Sequence, residues 1–229
     1  MSLRFSHFKL RKWIDGWRFV LLAVIAVALL RWTIECMQDD FEIALTINEP
    51  WEQMSQRSFA AVGPAPANAV WTSKSRSGVR LRFIDPEFGF VTPLARDFRI
   101  IAKSNDLVGR VRLSPQMKPL SLDEALIVVS DLRDQLRNKC WVEAKVMDDP
   151  PIADTLQWRT WFHSRTEHAM SFWLAADKYQ LQLDIEPWRM RTHKTDPRYR
   201  VVLMVDEPFL PFANAASANG CVRSDSKSS

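Results

Sequence analysis

The sequence predicts an α+β fold: an N-terminal transmembrane helix, then one domain of mainly antiparallel sheet with two helices on one face. Three observations carry this expectation. Residues 39–212 contain several runs in which apolar and polar residues alternate, the period of a half-buried strand. Two stretches of helical period interrupt those runs, the better one opened by the capping box Ser121-Leu122-Asp123-Glu124. Twelve consecutive residues, Phe19 to Leu30, carry no polar side-chain atom. Strands in runs, broken by a few helices, suit helices laid against one face of an antiparallel sheet.

The apolar dozen is short for a span, but its flanks extend it. Trp13 and Trp17 precede it and Trp32 follows, the pattern of aromatic belts at two interfaces. Trp13 to Ile34 is 22 residues, about 33 Å of helix and close to one bilayer thickness. Arg18 and Arg31 then stand near opposite ends, where guanidinium groups snorkel into the headgroups. The chain carries a net charge of +4, and so do its first 18 residues, which hold Arg4, Lys9, Arg11, Lys12 and Arg18 against Asp15. Glu35, Asp39, Asp40 and Glu42 follow the span. Basic before and acidic after places the N-terminus in the cytoplasm. The expected plan is a basic cytoplasmic segment (1–12), an inner-membrane span (13–34), a periplasmic domain (39–212) and a disordered serine-rich tail (213–229). Two readings compete: a signal peptide cleaved after Ala26-Val27-Ala28, a site without a polar stretch before it, and a buried helix of a soluble protein. Lipidation at Cys36 is disfavoured because Thr33-Ile34-Glu35 puts a carboxylate where small residues belong.

Along the domain, 41–48 alternates and reads as a first strand. Residues 50–77, rich in Pro, Ala and Ser around Gly63-Pro64-Ala65-Pro66, read as a long extended loop. Residues 79–83 form a strand stopped by Asp85-Pro86. Residues 98–103 and 108–113 form a hairpin across Ser104-Asn105-Asp106. From Ser121 onward Leu122, Ala125, Leu126, Val129, Leu132 and Leu136 make one apolar stripe, with Arg133, Arg137 and Lys139 at the end where cations suit the helix dipole. Residues 141–147 return to strand character until Asp148-Asp149-Pro150-Pro151 breaks it. Asp154 then caps a shorter helix that turns Leu156, Trp158, Trp161 and Phe162 inward. Three strands, 170–174, 179–185 and 199–205, close the domain.

The same residues exclude several chemistries. Six glycines, none closer than Gly78 and Gly89, leave no phosphate-binding loop of either common spacing. His163 and His168 are five apart, roughly 500° of helical rotation, so a helix would not aim both at one metal. Carboxylate pairs such as Asp148-Asp149 are adjacent and point to opposite sides of an extended chain. The expectation is therefore no enzyme, no catalytic residue, no metal and no cofactor. A neutral domain also argues against nucleic acid as a partner.

What remains points to protein binding. Arg80 and Arg82, Arg110 and Arg112, and Arg198 and Arg200 each alternate with apolar residues and so face outward from their strands. If those strands are neighbours, they make a cationic face for an acidic partner. The competing reading pairs them across strands with Asp184 and Glu186, beside Gln180 and Gln182. Trp51 and Trp71, flanking the long loop, are candidate exposed anchors. In an oxidising compartment Cys140 and Cys221 can pair and Cys36 can link to another chain, while three free thiols is the plainer alternative.

One resemblance bears on this. The stretch Phe83-Ile84-Asp85-Pro86-Glu87-Phe88-Gly89-Phe90 and its continuation to Arg96, Arg110-Val111-Arg112-Leu113-Ser114-Pro115-Gln116, Asp134-Gln135-Leu136-Arg137 and Ile152 to Arg159 resemble a group of uncharacterised single-pass envelope proteins of Gram-negative bacteria. The resemblance covers about residues 80–180 and carries no catalytic residue. Some members are encoded beside type VI secretion effectors, which implies an immunity or accessory role. The expected function is a membrane-anchored periplasmic module that binds an unidentified protein, in its sharpest form an immunity-type inhibitor. The alternatives are an assembly subunit of an envelope complex and, less favoured, an envelope hydrolase.

Overall fold

The computed structural model describes residues 41–60, 62–65, 70–73, 77–144, 152–164, 168–188 and 197–209. The expected basic segment, span and tail lie outside the described residues. Among the described residues, no helix is long and apolar enough to cross a membrane.

The domain is α+β, with ten strands and three helices among the described residues: β1 (Glu42–Leu45), α1 (Trp51–Arg57), β2 (Val70–Ser73), β3 (Arg80–Phe83), β4 (Phe90–Val91), β5 (Asp97–Ala102), β6 (Val108–Ser114), α2 (Leu122–Asn138), β7 (Val142–Ala144), α3 (Leu156–Ser164), β8 (Ala169–Ala175), β9 (Tyr179–Pro187) and β10 (Tyr199–Asp206). Seven strands form one sheet in the order β2-β5-β6-β10-β9-β8-β7, with every neighbour antiparallel. The last strand thus sits in the middle. Remove it and two three-stranded halves remain, β2-β5-β6 and β9-β8-β7. A small sheet, β1-β3-β4, pairs β1 parallel with β3 and β3 antiparallel with β4.

Register separates the two faces of the large sheet. Tyr199, Val201, Leu203 and Val205 alternate along β10 and align with Pro187, Ile185, Leu183 and Leu181 on β9. This is the core face, and its aliphatic residues are buried throughout. Both longer helices cover it. On α2, Arg133 and Arg137 reach over the Trp173 ring at 5.8 and 5.7 Å. On α3, the Phe162 ring meets Tyr199 edge-on, while Arg159 bonds Asp123 of α2 at 2.6 Å.

Local chemistry explains the boundaries. The capping box of α2 is present: Ser121 Oγ accepts from the Glu124 N–H at 3.3 Å, and Glu124 Oε2 accepts from the Ser121 N–H at 2.8 Å. Hydrogen bonds to the carboxylate from the Ser121 N–H first, and from the Ser121 hydroxyl, hold the Glu124 carboxyl below its usual range. At the other end, Trp141 N–H returns to the Leu136 carbonyl and Cys140 N–H to that of Arg137, a Schellman ending. Cys140 takes the left-handed position (φ 57°) that glycine usually fills. Where β6 ends at Ser114, the Gln116 amide continues its ladder: Oε1 accepts the Val201 N–H at 2.7 Å and Nε2 donates to the Tyr199 carbonyl at 3.3 Å.

Three expectations need correction. Residues 50–77 are not one loop, because Trp51 and Met54, three apart, bury one side of the short helix α1, and Val70–Ser73 pairs with β5. Leu156 does not turn inward; it is 82% exposed at the start of α3, whereas Trp158 and Phe162 are buried. Asp154 does not cap α3. Its carboxylate binds Arg159 at 2.5 Å, and Thr155 Oγ1 receives the Trp158 N–H instead.

Candidate functional site

The outer face of the large sheet holds Arg99 and Ile101 of β5, Arg110 and Arg112 of β6, Arg200, Val202, Met204 and Asp206 of β10, and Gln182, Asp184 and Glu186 of β9. The pairings Arg99↔Arg112, Ile101↔Arg110, Met204↔Arg112, Met204↔Gln182, Val202↔Asp184 and Arg200↔Glu186 set these residues in rows. Two arginines directly opposite repel unless each has a carboxylate. Each does. Arg110 Nε donates to Asp206 Oδ2 at 2.5 Å, Arg112 approaches Glu186 at 3.5 Å, Arg200 Nε donates to Glu186 at 3.2 Å, and Arg99 approaches Asp97 at 3.5 Å.

Four arginines against Asp97, Asp184, Glu186 and Asp206 leave the face balanced rather than cationic. Cross-strand pairing is therefore the arrangement found. Between the pairs lies a shallow cavity of about 360 Å³, its apolar floor built by Val70, Ile101, Val202 and Met204 and its rim by Arg99, Arg110, Arg112, Gln182 and Asp184.

Asp184 is the unusual member. It is 5% exposed, and Gln182 Nε2 donates to both its oxygens at 3.1 and 2.9 Å. Burial, more than these bonds or the neighbouring Glu186, decides its titration and pushes its carboxyl up to about 6. Toward β8 the same face is closed over: Phe209 lies edge-on to Phe172, and its N–H binds Gln180 Oε1 at 3.1 Å.

The residues expected to bind a partner divide. Arg110 and Arg112 lie on this face. Arg80 and Arg82 do not; β3 belongs to the small sheet, where Arg82 Nε donates to Glu42 at 2.6 Å. The six arginines therefore share no single surface. Trp51 is 3% exposed, with its indole N–H given to the Gly63 carbonyl at 2.9 Å, so it is no surface anchor. Trp71 is half-buried on β2 and packs edge-on against Phe98 at 6.3 Å. Cys140 is disulfide-bonded. Cys36 and Cys221 both lie outside the described residues, so the Cys140–Cys221 pairing stays an expectation. Reasoning from sequence passed over Arg99, Ile101 and Met204, although the alternation that exposed Arg110 and Arg112 applies equally to 97–102 and 199–206.

A second hollow of about 550 Å³ lies between the small sheet and the end of α2, with Arg82, Asp85, Gln135 and Lys139 in its lining. Asp85 there is a structural carboxylate. Burial raises its titration, but the N–H groups of Phe88 and Glu87 and the Tyr179 hydroxyl outweigh it and hold it low. Those bonds shape the turn into Gly89, where a Cβ would stand 2.7 Å from the Asp85 carbonyl oxygen. Among the described residues, no group of three or more His, Cys, Asp and Glu side chains is placed to hold a metal ion. His168 is exposed beside β8, and the His163 side chain lies outside the described residues. Compared with family models, curated proteins and solved structures, the chain matches none.

Proposed function

We propose that this chain is a single-pass inner-membrane protein whose periplasmic domain binds another protein on the outer face of β5, β6 and β10. The single observation that carries the reading is the apolar floor of Ile101, Val202 and Met204 framed by charge-paired arginines. Apolar centres beside arginine are enriched in protein interfaces, and a balanced rim rejects partners whose charges fall out of register. The partner this suits carries an apolar projection flanked by both signs of charge. With the resemblance to envelope proteins found near secreted effectors, the sharpest version is an immunity-type inhibitor that occludes such an effector. The pairing of Cys140 with Cys221 belongs to the same periplasmic reading.

Cells lacking the chain should become sensitive to an effector encoded nearby. The full chain should restore survival, while Ile101→Glu or Met204→Glu should not. A version retained in the cytoplasm that protects equally well would sink the proposal. Exchange of residues 13–34 for an unrelated span should be tolerated by an inhibitor; loss of function on that exchange indicates an assembly subunit instead.

A further inference from the structure

We propose that the end of the domain where β1 begins rests in the headgroup layer of the bilayer, with Phe41 and Phe59 inserted at the membrane surface. This rests on residues 13–34 being a span. Two observations meet at one place.

The first is apolar exposure. Phe41 is 43% exposed and Phe59 is 70% exposed. They come from separate segments, before β1 and after α1, yet the Phe59 N–H donates to the Glu42 carbonyl at 2.9 Å, so their backbones adjoin. A folded domain has no packing reason to leave two phenylalanines on adjoining backbone segments in water. At a lipid interface the same rings are favourable.

The second is the length of the tether. Ile34, the last residue of the span, and Phe41 are seven Cα steps apart, at most about 25 Å even when fully extended. Connectivity alone therefore keeps Phe41 within that distance of the end of the span. The outer-face cavity is built on different strands, so membrane contact here and partner binding there use separate surfaces.

Charge is not the driver. Glu35, Asp39 and Asp40 lie in the tether, and Glu42 is neutralised by Arg82. Attraction to anionic headgroups is thus not required, and zwitterionic lipid should suffice.

The test uses the full chain in phosphatidylcholine vesicles, with an environment-sensitive fluorescent amino acid in place of Phe59. An identical probe replaces Ile127, which is 68% exposed on α2, as the control. Spin-labelled lipid should quench the probe at 59 several-fold more than the one at 127. Phe41→Ser should reduce the quenching at 59. Equal quenching at the two sites, in protein that still floats with the vesicles after carbonate extraction, overturns the inference alone. Shielding of position 59 without lipid quenching, the sign of a protein on the patch, overturns it too. Loss of flotation overturns the span and the inference together.

Discussion

Each face of the seven-stranded sheet buries a charged side chain, and the two are handled differently. On the core face Arg133 of α2 lies over Trp173 and bonds Glu143 at 3.2 Å. On the outer face Asp184 has the Gln182 amide and, among the described residues, no hydrogen bond or ion pair to a cation; Arg112 and His168 act on it only from a distance. A guanidinium keeps its charge at any ordinary pH, so its burial demands a carboxylate or an aromatic face. A carboxyl can instead take up a proton, and Asp184 is displaced in that direction. The buried charge on the core face does not titrate at any ordinary pH, whereas the carboxyl on the outer face is pushed up to about 6.

The contrast breaks most sharply at Trp173, wholly buried between α2 and the sheet. Trp173→Ala should cost about 3–5 kcal/mol, since it leaves a cavity and strips Arg133 of its aromatic cover. Urea unfolding of the full chain measures it.

On the outer face Asp184→Asn should stabilise by about 2–3 kcal/mol at pH 7.5, from the displacement of roughly two pH units. The sign follows from proton uptake. Between the unfolded value near 3.8 and the folded value near 6, the native state binds the extra proton, so wild-type stability falls as pH rises through that window. The advantage of Asn should therefore disappear near pH 4. An equal advantage at pH 4 and 7.5 would show that the buried carboxylate is not its source.

Gln116 serves the ladder common to both faces. Gln116→Leu orphans the buried Val201 N–H and should cost about 2 kcal/mol. Arg110→Ala, by contrast, removes one half of a partly exposed pair with Asp206 and should cost under about 1 kcal/mol. If Arg110→Ala proves as costly as Gln116→Leu, the outer face is stiffer than its ion pairs imply.

The same contrast explains what the sequence disclosed. α2 was legible because capping box, apolar stripe and terminal cations agree from Ser121 to Lys139. Strands 80–83, 97–102, 108–114, 179–187 and 199–206 were legible because alternation reports a half-buried surface. α1 was not, since seven residues offer two anchors, Trp51 and Met54, inside a proline-rich and alanine-rich stretch. β4 has two residues, too few for any period. Outwardness was legible for Arg110 and Arg112, but which outward strands are neighbours was not. Alternation says that a side chain leaves its strand; only the sheet order says that Arg82 leaves from a different sheet. Burial of Asp184 was hidden for a similar reason, because it depends on residues brought from β6 and β10.

The central place of β10 carries a temporal consequence. A nascent chain that has emerged only as far as Pro187 possesses every strand of both halves but not the piece that zips them. Until residue 206 follows, Val111 and Leu181, each joined to Val205 in the finished sheet, have no partner between them. Closure is thereby postponed until synthesis of the domain is almost complete.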